Sequence, residues 1–176
     1  NGVLGQFLKE RGLSELYAVE PDQEARARSA STYISSAASL EGFRGKEFDA
    51  VLLMDVIEHV PDHGAMFKEA CSMLAPGGVL LISVPNVAHW SIRLSLLFGF
   101  FEYTNRGILD RTHINFFTRR SFRKLLKSSQ EMEIKALEAS IEPAEFVLPR
   151  LIWDNPAFDL LSRLRLHLAG LWPGLF

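Results

Sequence analysis

A chain of 176 residues, 48% hydrophobic and 23% charged, suits one domain with a substantial buried core. A formal charge of -2 supplies no broad attraction to phosphate, so charge does not recruit nucleic acid as a partner. Cys71 is the only cysteine, which excludes an internal disulfide and a cysteine-rich metal site and points to a reducing, cytoplasmic setting.

In chain order, Val3, Leu4, Phe7 and Leu8 fall at helical spacing, with Gly12 as a stop signal after Lys9 and Arg11. LYAVEPD is a short apolar run that predicts a buried strand delivering Glu20 at its carboxyl end. A short helix is expected from Gln23 to Ala30 and a brief strand at Tyr33 and Ile34, followed by the small residues Ser35 to Ser39. FDAVLLMD is the clearest strand, apolar without alternation from Ala50 to Met54, as expected when both faces of a parallel sheet are covered; Asp55 sits where it ends.

From Asp62 onward, Met66, Ala70, Met73 and Leu74 share a helical face, and Pro76-Gly77-Gly78 then turns the chain into the buried strand VLLISVP. A long excursion follows, with helix around Ile92 to Leu97; residues 87–117 are expected to form a substrate-side insert. The apolar run LSLLFGFF at 94–101 is far short of the roughly 20 residues that span a bilayer. Thr118 is placed to cap a helix carrying Phe122, Leu125 and Leu126, and MEIKALEAS then alternates like a half-exposed strand.

This order predicts an α/β fold: a three-layer, Rossmann-like, doubly wound and mostly parallel sheet, ligands binding at the carboxyl ends of its strands. A chain that starts on a helix followed by a buried parallel strand implies a first strand upstream of Asn1, missing from this sequence. Residues 1–176 are expected to form one domain, with an amphipathic tail at 150–176.

FDAVLLMDVIEHVPD and APGGVLLISVPN resemble the fourth strand and turn, and the next helix, turn and strand, of class I S-adenosylmethionine-dependent methyltransferases. The run from VPNVAHW to DRTHINFFTRRSF is similar to a bacterial subgroup near the methionine-biosynthesis methyltransferase-like and polysaccharide-associated proteins. The resemblance implies S-adenosylmethionine as cofactor, S-adenosylhomocysteine as product and a small-molecule methyl acceptor. It makes Asn1-Gly2 the last two positions of a glycine-rich loop that needs close backbone approach to the cofactor. Glu20 matches the acid that accepts from both ribose hydroxyls, with Pro21 beside the adenosine. Ser36, Ala37 and Ala38 align with a family pattern whose adenine-binding acid is lacking here. Met54 and Asp55 match positions lining the methionine and ribose part of the pocket, and Glu58-His59-Val60 the family's turn signature.

Methyl transfer to a hydroxyl needs alignment and a proton acceptor, for which histidine is tuned at neutral pH. His113 in DRTHINFF is the first catalytic candidate and His89 the second; substrate or structural hydrogen bonding through Asp110 and Arg111 is the other, commoner role open to His113, and Trp90, Tyr103, Phe116 and Phe117 are candidate walls of the acceptor site. His59 and His63 share i, i+4 spacing, but Pro61 between them spoils the helix a two-histidine zinc site uses, so no metal is expected. In the tail, Ala157, Leu160, Leu161, Leu164 and Leu168 make an apolar stripe suited to a membrane surface, a protein partner or the domain's own core.

The reading is therefore a methyltransferase acting on a small-molecule oxygen nucleophile such as a sugar, a lipid-linked or a quinone-like acceptor. Two rivals remain open: a non-catalytic interaction domain on the same scaffold, and a nicotinamide-dependent oxidoreductase in which Gly2 and Gly5 end a G-x-G-x-x-G loop.

Overall fold

A computed structural model of the protein describes residues 2–139. The expected tail at 150–176, Asn1 and the last residue of the expected MEIKALEAS strand lie outside the described residues. Helices alternate with parallel strands in an α/β arrangement: α1 (Val3–Glu10), β1 (Tyr17–Val19), α2 (Gln23–Ser29), β2 (Ser35–Ala37), β3 (Phe48–Met54), α3 (His63–Ser72), β4 (Leu74–Ser83), α4 (Trp90–Leu97) and α5 (Arg119–Leu126). Among the described residues the strands form two pairs. β1 lies parallel to β2, with Tyr17, Ala18 and Val19 opposite Ser35, Ser36 and Ala37. β3 lies beside β4, with backbone bonds from Phe48 to Met73 and from Asp55 to Ser83 that ascend together along both strands.

Several expectations need correction. The brief strand forms at Ser35–Ala37, not at Tyr33 and Ile34, because its register is set by backbone pairing with β1, which small side chains satisfy as well as large ones. Pro76-Gly77-Gly78 does not separate helix from strand: β4 already runs through it from Leu74. β3 is not covered on both faces, since Asp49, Ala50 and Met54 are exposed, as are Val79 and Leu81 on β4. A two-stranded pair presents two edges and little breadth for helices to cover. No strand forms over 132–139, because alternation without a neighbour to bond leaves the backbone groups to solvent.

The chain divides into two compact units, one of residues Asn1–Val51 with Ser72–Val79, the other of Leu52–Cys71 with residues from Leu80 onward. In the first unit, Tyr17, Phe43 and Phe48 meet edge to face with ring centroids 5.4 to 6.1 Å apart. α2 begins at Asp22, whose Oδ1 accepts the Ala25 N–H at 2.6 Å. The second unit is built on Leu53, Ile57, Phe67, Ala70, Leu109, Phe117 and Phe122, all buried. α5 opens as expected at Thr118 with a reciprocal cap: Thr118 Oγ1 accepts the Ser121 N–H at 3.1 Å, and Ser121 Oγ accepts the Thr118 N–H at 2.9 Å. No helix among the described residues is long and apolar enough to cross a membrane.

Candidate active site

The site residues expected from sequence divide between the units. Gly2, Glu20, Pro21, Ser36, Ala37 and Ala38 belong to the first, and Met54, Asp55, His89 and His113 to the second.

In the first unit, Gly2 sits before α1 with φ of +72°, where a side chain would be strained, and a Cβ there would stand 3.0 Å from the Ser29 Cβ. Glu20 follows β1 directly. Its N–H donates to the Ala37 carbonyl at 2.9 Å, which brings the ends of β1 and β2 together, and its Oε1 accepts the Asp22 N–H at 3.1 Å. Arg26 ties the Glu20 and Pro21 carbonyls to α2 at 2.6 and 3.0 Å. The Glu20 carboxylate is thereby presented at a fixed strand end.

In the second unit a cavity of about 770 Å³ opens at the carboxyl ends of β3 and β4. Its wall includes Met54, Asp55, Glu58, His89, His113 and Phe117. Asp55 leaves β3 with φ of +52°, the one non-glycine residue in the left-handed region among the described residues. Its N–H donates to Ser83 Oγ at 3.0 Å, and the Ser83 hydroxyl donates to Asp55 Oδ1 at 2.8 Å.

The excursion after β4 returns to this cavity. Val87 N–H donates to the Phe117 carbonyl at 2.8 Å, and the N–H groups of Ile114 and Asn115 both donate to the Glu58 carbonyl, at 2.9 and 3.0 Å. The same residue whose backbone anchors this return thus sets His113 beside its own side chain. The ring of His113, which is 9% exposed, donates from Nδ1 to the Ile108 carbonyl at 3.1 Å. A carbonyl only accepts, so Nδ1 carries the proton and Nε2 keeps its lone pair. His89, 5% exposed, caps α4 with the opposite polarity: Nδ1 accepts the Ser91 N–H and lies 2.8 Å from Ser91 Oγ, which leaves the proton on Nε2. The His113 N–H donates to the Asp110 carbonyl at 3.0 Å, while Asp110 Oδ1 accepts from the N–H and hydroxyl of Thr112, which, with smaller help from the charges of His113 and His59, hold its carboxyl below the usual range. Of the expected aromatic walls, Phe117 lines the cavity, whereas Trp90 lies against His89 with centroids 5.6 Å apart, and Tyr103, which is half exposed, and Phe116 cluster with each other and with Phe101.

Sequence reasoning did not nominate Glu58. Its side chain is 1% exposed, lines the cavity, and has both carboxylate oxygens buried without a hydrogen-bond partner. Burial pushes its carboxyl above the usual range and the Asp55 charge adds to this, against the Glu58 backbone, His59 and His113. A carboxylate amid Val56, Ile57 and Val60 was the available signal, overshadowed by the histidine that follows it. Nor does the structure join His59 to His63: the His59 ring meets His113, with centroids 4.8 Å apart, while His63 bonds Asn115 Oδ1 at 3.1 Å and meets Phe117.

Residues 1–130 match a family described as a methyltransferase domain. The chain is 35% identical over 116 residues to the ubiquinone biosynthesis O-methyltransferase of Caulobacter sp. (strain K31), covering 66% of this chain and 41% of that protein. The protein of the same name from Xanthomonas axonopodis pv. citri (strain 306) is 34% identical over 80 residues, 46% of this chain and 33% of the relative. That of Bradyrhizobium sp. (strain ORS 278) is 37% identical over 68 residues, 39% and 26%. The matches thus span less than half the length of these curated relatives. With the family match covering most of its length, the chain belongs to the methyltransferase domain family, among the class I S-adenosylmethionine-dependent enzymes.

Proposed function

We propose that the protein transfers a methyl group from S-adenosylmethionine to an oxygen of a small-molecule acceptor, of which a hydroxylated quinone-like compound is the best supported class. The observation that carries this reading is the cavity at the ends of β3 and β4, where Asp55, Glu58 and His113 converge, in a chain whose relatives are named as O-methyltransferases. The finer architecture proposed is the three-layer, doubly wound sheet of the family.

When bound, the cofactor supplies an electrophilic methyl on a sulfonium sulfur. The residues present fit it by their donor chemistry. Glu20, held at its strand end, accepts from the ribose hydroxyls; Gly2 allows close backbone approach; Pro21 contacts the adenosine. Ser36, Ala37 and Ala38 supply adenine contacts through their backbone groups and the Ser36 hydroxyl, the Ala37 carbonyl keeping a second lone pair beside the bond from the Glu20 N–H. Met54 and Asp55 contact the methionine and ribose portion. On the acceptor side, the His113 Nε2 lone pair is oriented to take the hydroxyl proton, and the Nε2–H of His89 serves as a donor. Phe117 and the strand-end residues exclude water, which matters because alignment and dryness supply most of the acceleration in such a displacement.

The test is isothermal titration with S-adenosylmethionine and with nicotinamide cofactors, followed by mass spectrometry of catechol and hydroxyquinone acceptors incubated with protein and cofactor. The reading expects S-adenosylmethionine binding weakened by Glu20→Gln, and one methylated acceptor for each S-adenosylhomocysteine formed. Nicotinamide binding without S-adenosylmethionine binding would overturn it, and cofactor binding with no acceptor methylated would favour an interaction domain.

A further inference from the structure

Arg119, Arg120, Arg123, Lys124 and Lys127 crowd α5 and its C-cap with no acid among them, in a chain whose formal charge is -2. All are exposed. By helical geometry they occupy an arc of about 140°, with Phe122 and Leu126 on the other side. Such an arc costs the helix stability. Arg119 and Arg123, Arg120 and Lys124, and Arg123 and Lys127 are like charges one turn apart, and Arg119 and Arg120 stand in the first turn, where the helix dipole favours an anion. Among the described residues no carboxylate pairs with them; the ion pairs join Arg28 to Glu24, Arg44 to Glu41 and Lys135 to Glu133. The same spacing carries this face to the cavity. Thr118, Arg119, Phe122 and Leu126 line it, so Arg119 is shared by the cationic arc and the cavity wall. Its Nη2 donates to the Leu137 carbonyl at 3.5 Å, across to residues 136–139 of the same wall.

We propose that the cationic face of α5 binds a phosphate group at the rim of the cavity, and that this phosphate is carried by the methyl acceptor. Charge and shape select phosphate over carboxylate. Arg119 and Arg123 are neighbours at i, i+4 and Arg120 and Arg123 at i, i+3, so their guanidiniums share one patch. One arginine fork satisfies a carboxylate, whereas a phosphate monoester offers three acceptor oxygens and about two charges, enough for more than one fork. A chain of net negative charge draws in a long polyanion poorly, but a compact phosphate needs only the local patch. Because the arc begins on the cavity wall, its ligand is continuous with what fills the cavity, which favours a group on the acceptor over a separate partner. The inference rests on the methyl-transfer reading and narrows it: the acceptor skeleton supplies the hydroxyl, and a phosphate ester on the same molecule supplies the handle.

The test is calorimetric titration of the full chain with sodium pyrophosphate at low ionic strength. Saturable binding is expected, weakening as KCl rises, and weaker by about tenfold or more when Arg119→Gln, Arg120→Gln and Arg123→Gln are combined. Arg119→Lys, Arg120→Lys and Arg123→Lys together keep the charge and are expected to recover part of the loss. Lys68→Gln, on α3, is expected to leave binding unchanged, and thermal melting shows that the variants remain folded. Turnover is read as the ratio of kcat/KM for 4-hydroxyphenyl phosphate to that for hydroquinone, which is expected to fall about tenfold in the glutamine variant. Absence of saturable binding, or binding indifferent to the arginines, overturns the site and leaves the methyltransferase standing. Pyrophosphate bound at these residues by protein that methylates no acceptor keeps the phosphate site and removes the methyl-transfer reading. An unchanged ratio, or arginine-dependent co-sedimentation with phosphatidylglycerol vesicles in the absence of pyrophosphate binding, overturns the assignment of the phosphate to the acceptor.

Discussion

Ser83 and Asp55 hold each other in a closed ring, the Ser83 hydroxyl donating to Asp55 Oδ1 at 2.8 Å while its oxygen accepts the Asp55 N–H at 3.0 Å. The ring stabilises a non-glycine residue at φ of +52°, a conformation that costs about 1–2 kcal/mol in an L-residue. Ser83→Ala is expected to lower unfolding free energy by about 1 kcal/mol in urea titration, since the Asp55 N–H keeps the Ser83 carbonyl as acceptor at 3.2 Å. Asp55→Val, which adds β-branching at the same φ, should cost more than Ser83→Ala. The reverse order would mean that the ring contributes little to this turn.

Much of this turn was legible beforehand. The apolar run ending in Met54 and Asp55, the strand that delivers Glu20 and the cap at Thr118 all follow from local chemistry, and each forms where expected. Ser35–Ala37 was not legible as a strand, because parallel pairing with Tyr17–Val19 is a backbone property that its side chains do not advertise. The Glu58 and His113 grouping was hidden for a different reason. It requires Ile114 and Asn115 to return from far downstream and donate two N–H groups to the Glu58 carbonyl, and no periodicity encodes a contact of that range.

Glu58→Gln keeps the side-chain shape and removes the charge that burial disfavours. The variant is expected to melt higher than wild type, with a stability gain of about 1 kcal/mol or more, because a neutral amide is less costly to bury than a carboxylate. Calorimetric melts check this, and a variant less stable than wild type would show that the Glu58 backbone, His59 and His113 compensate the carboxylate.

Thr118→Ala removes one acceptor of the reciprocal cap of α5 and should cost about 1 kcal/mol. Thr118, Arg119 and Phe122 also line the cavity, so fraying of this first turn should loosen the cavity floor. Hydrogen exchange is expected to rise at Ser121 and Phe122 and to stay unchanged in α3; a uniform rise would point to global destabilisation instead.

Gly78 and Gly77 adjoin but forbid a side chain for different reasons. A Cβ on Gly78 would stand 2.9 Å from the Ala75 carbonyl oxygen, 3.0 Å from that of Phe48 and 3.2 Å from that of Asp49, all backbone atoms that cannot turn aside. Gly77 has open space but φ of +82°. Gly78→Ala should therefore cost about 1–3 kcal/mol by overpacking and Gly77→Ala about 1 kcal/mol by strain. Equal losses in denaturant titration would mean that the β3 edge moves to accept the methyl.

The Cys71 thiol is pushed up chiefly by burial; a hydrogen bond with Ser129 opposes the shift and the Glu131 charge adds to it. The thiolate is the reactive form, so alkylation by iodoacetamide should be slow near neutral pH and should accelerate only above the inflection of a small thiol measured in parallel. Glu131→Gln should move that inflection down, and Ser129→Ala should move it up. The linkage runs the same way: the unfolded chain releases this proton at lower pH than the folded one, so the contribution of Cys71 to stability is constant below the unfolded value and declines as pH rises toward the folded one. A Cys71→Ser variant that abolishes this alkaline decline assigns it to the thiol, and a wild-type inflection at or below that of the small thiol would show that Ser129 outweighs burial.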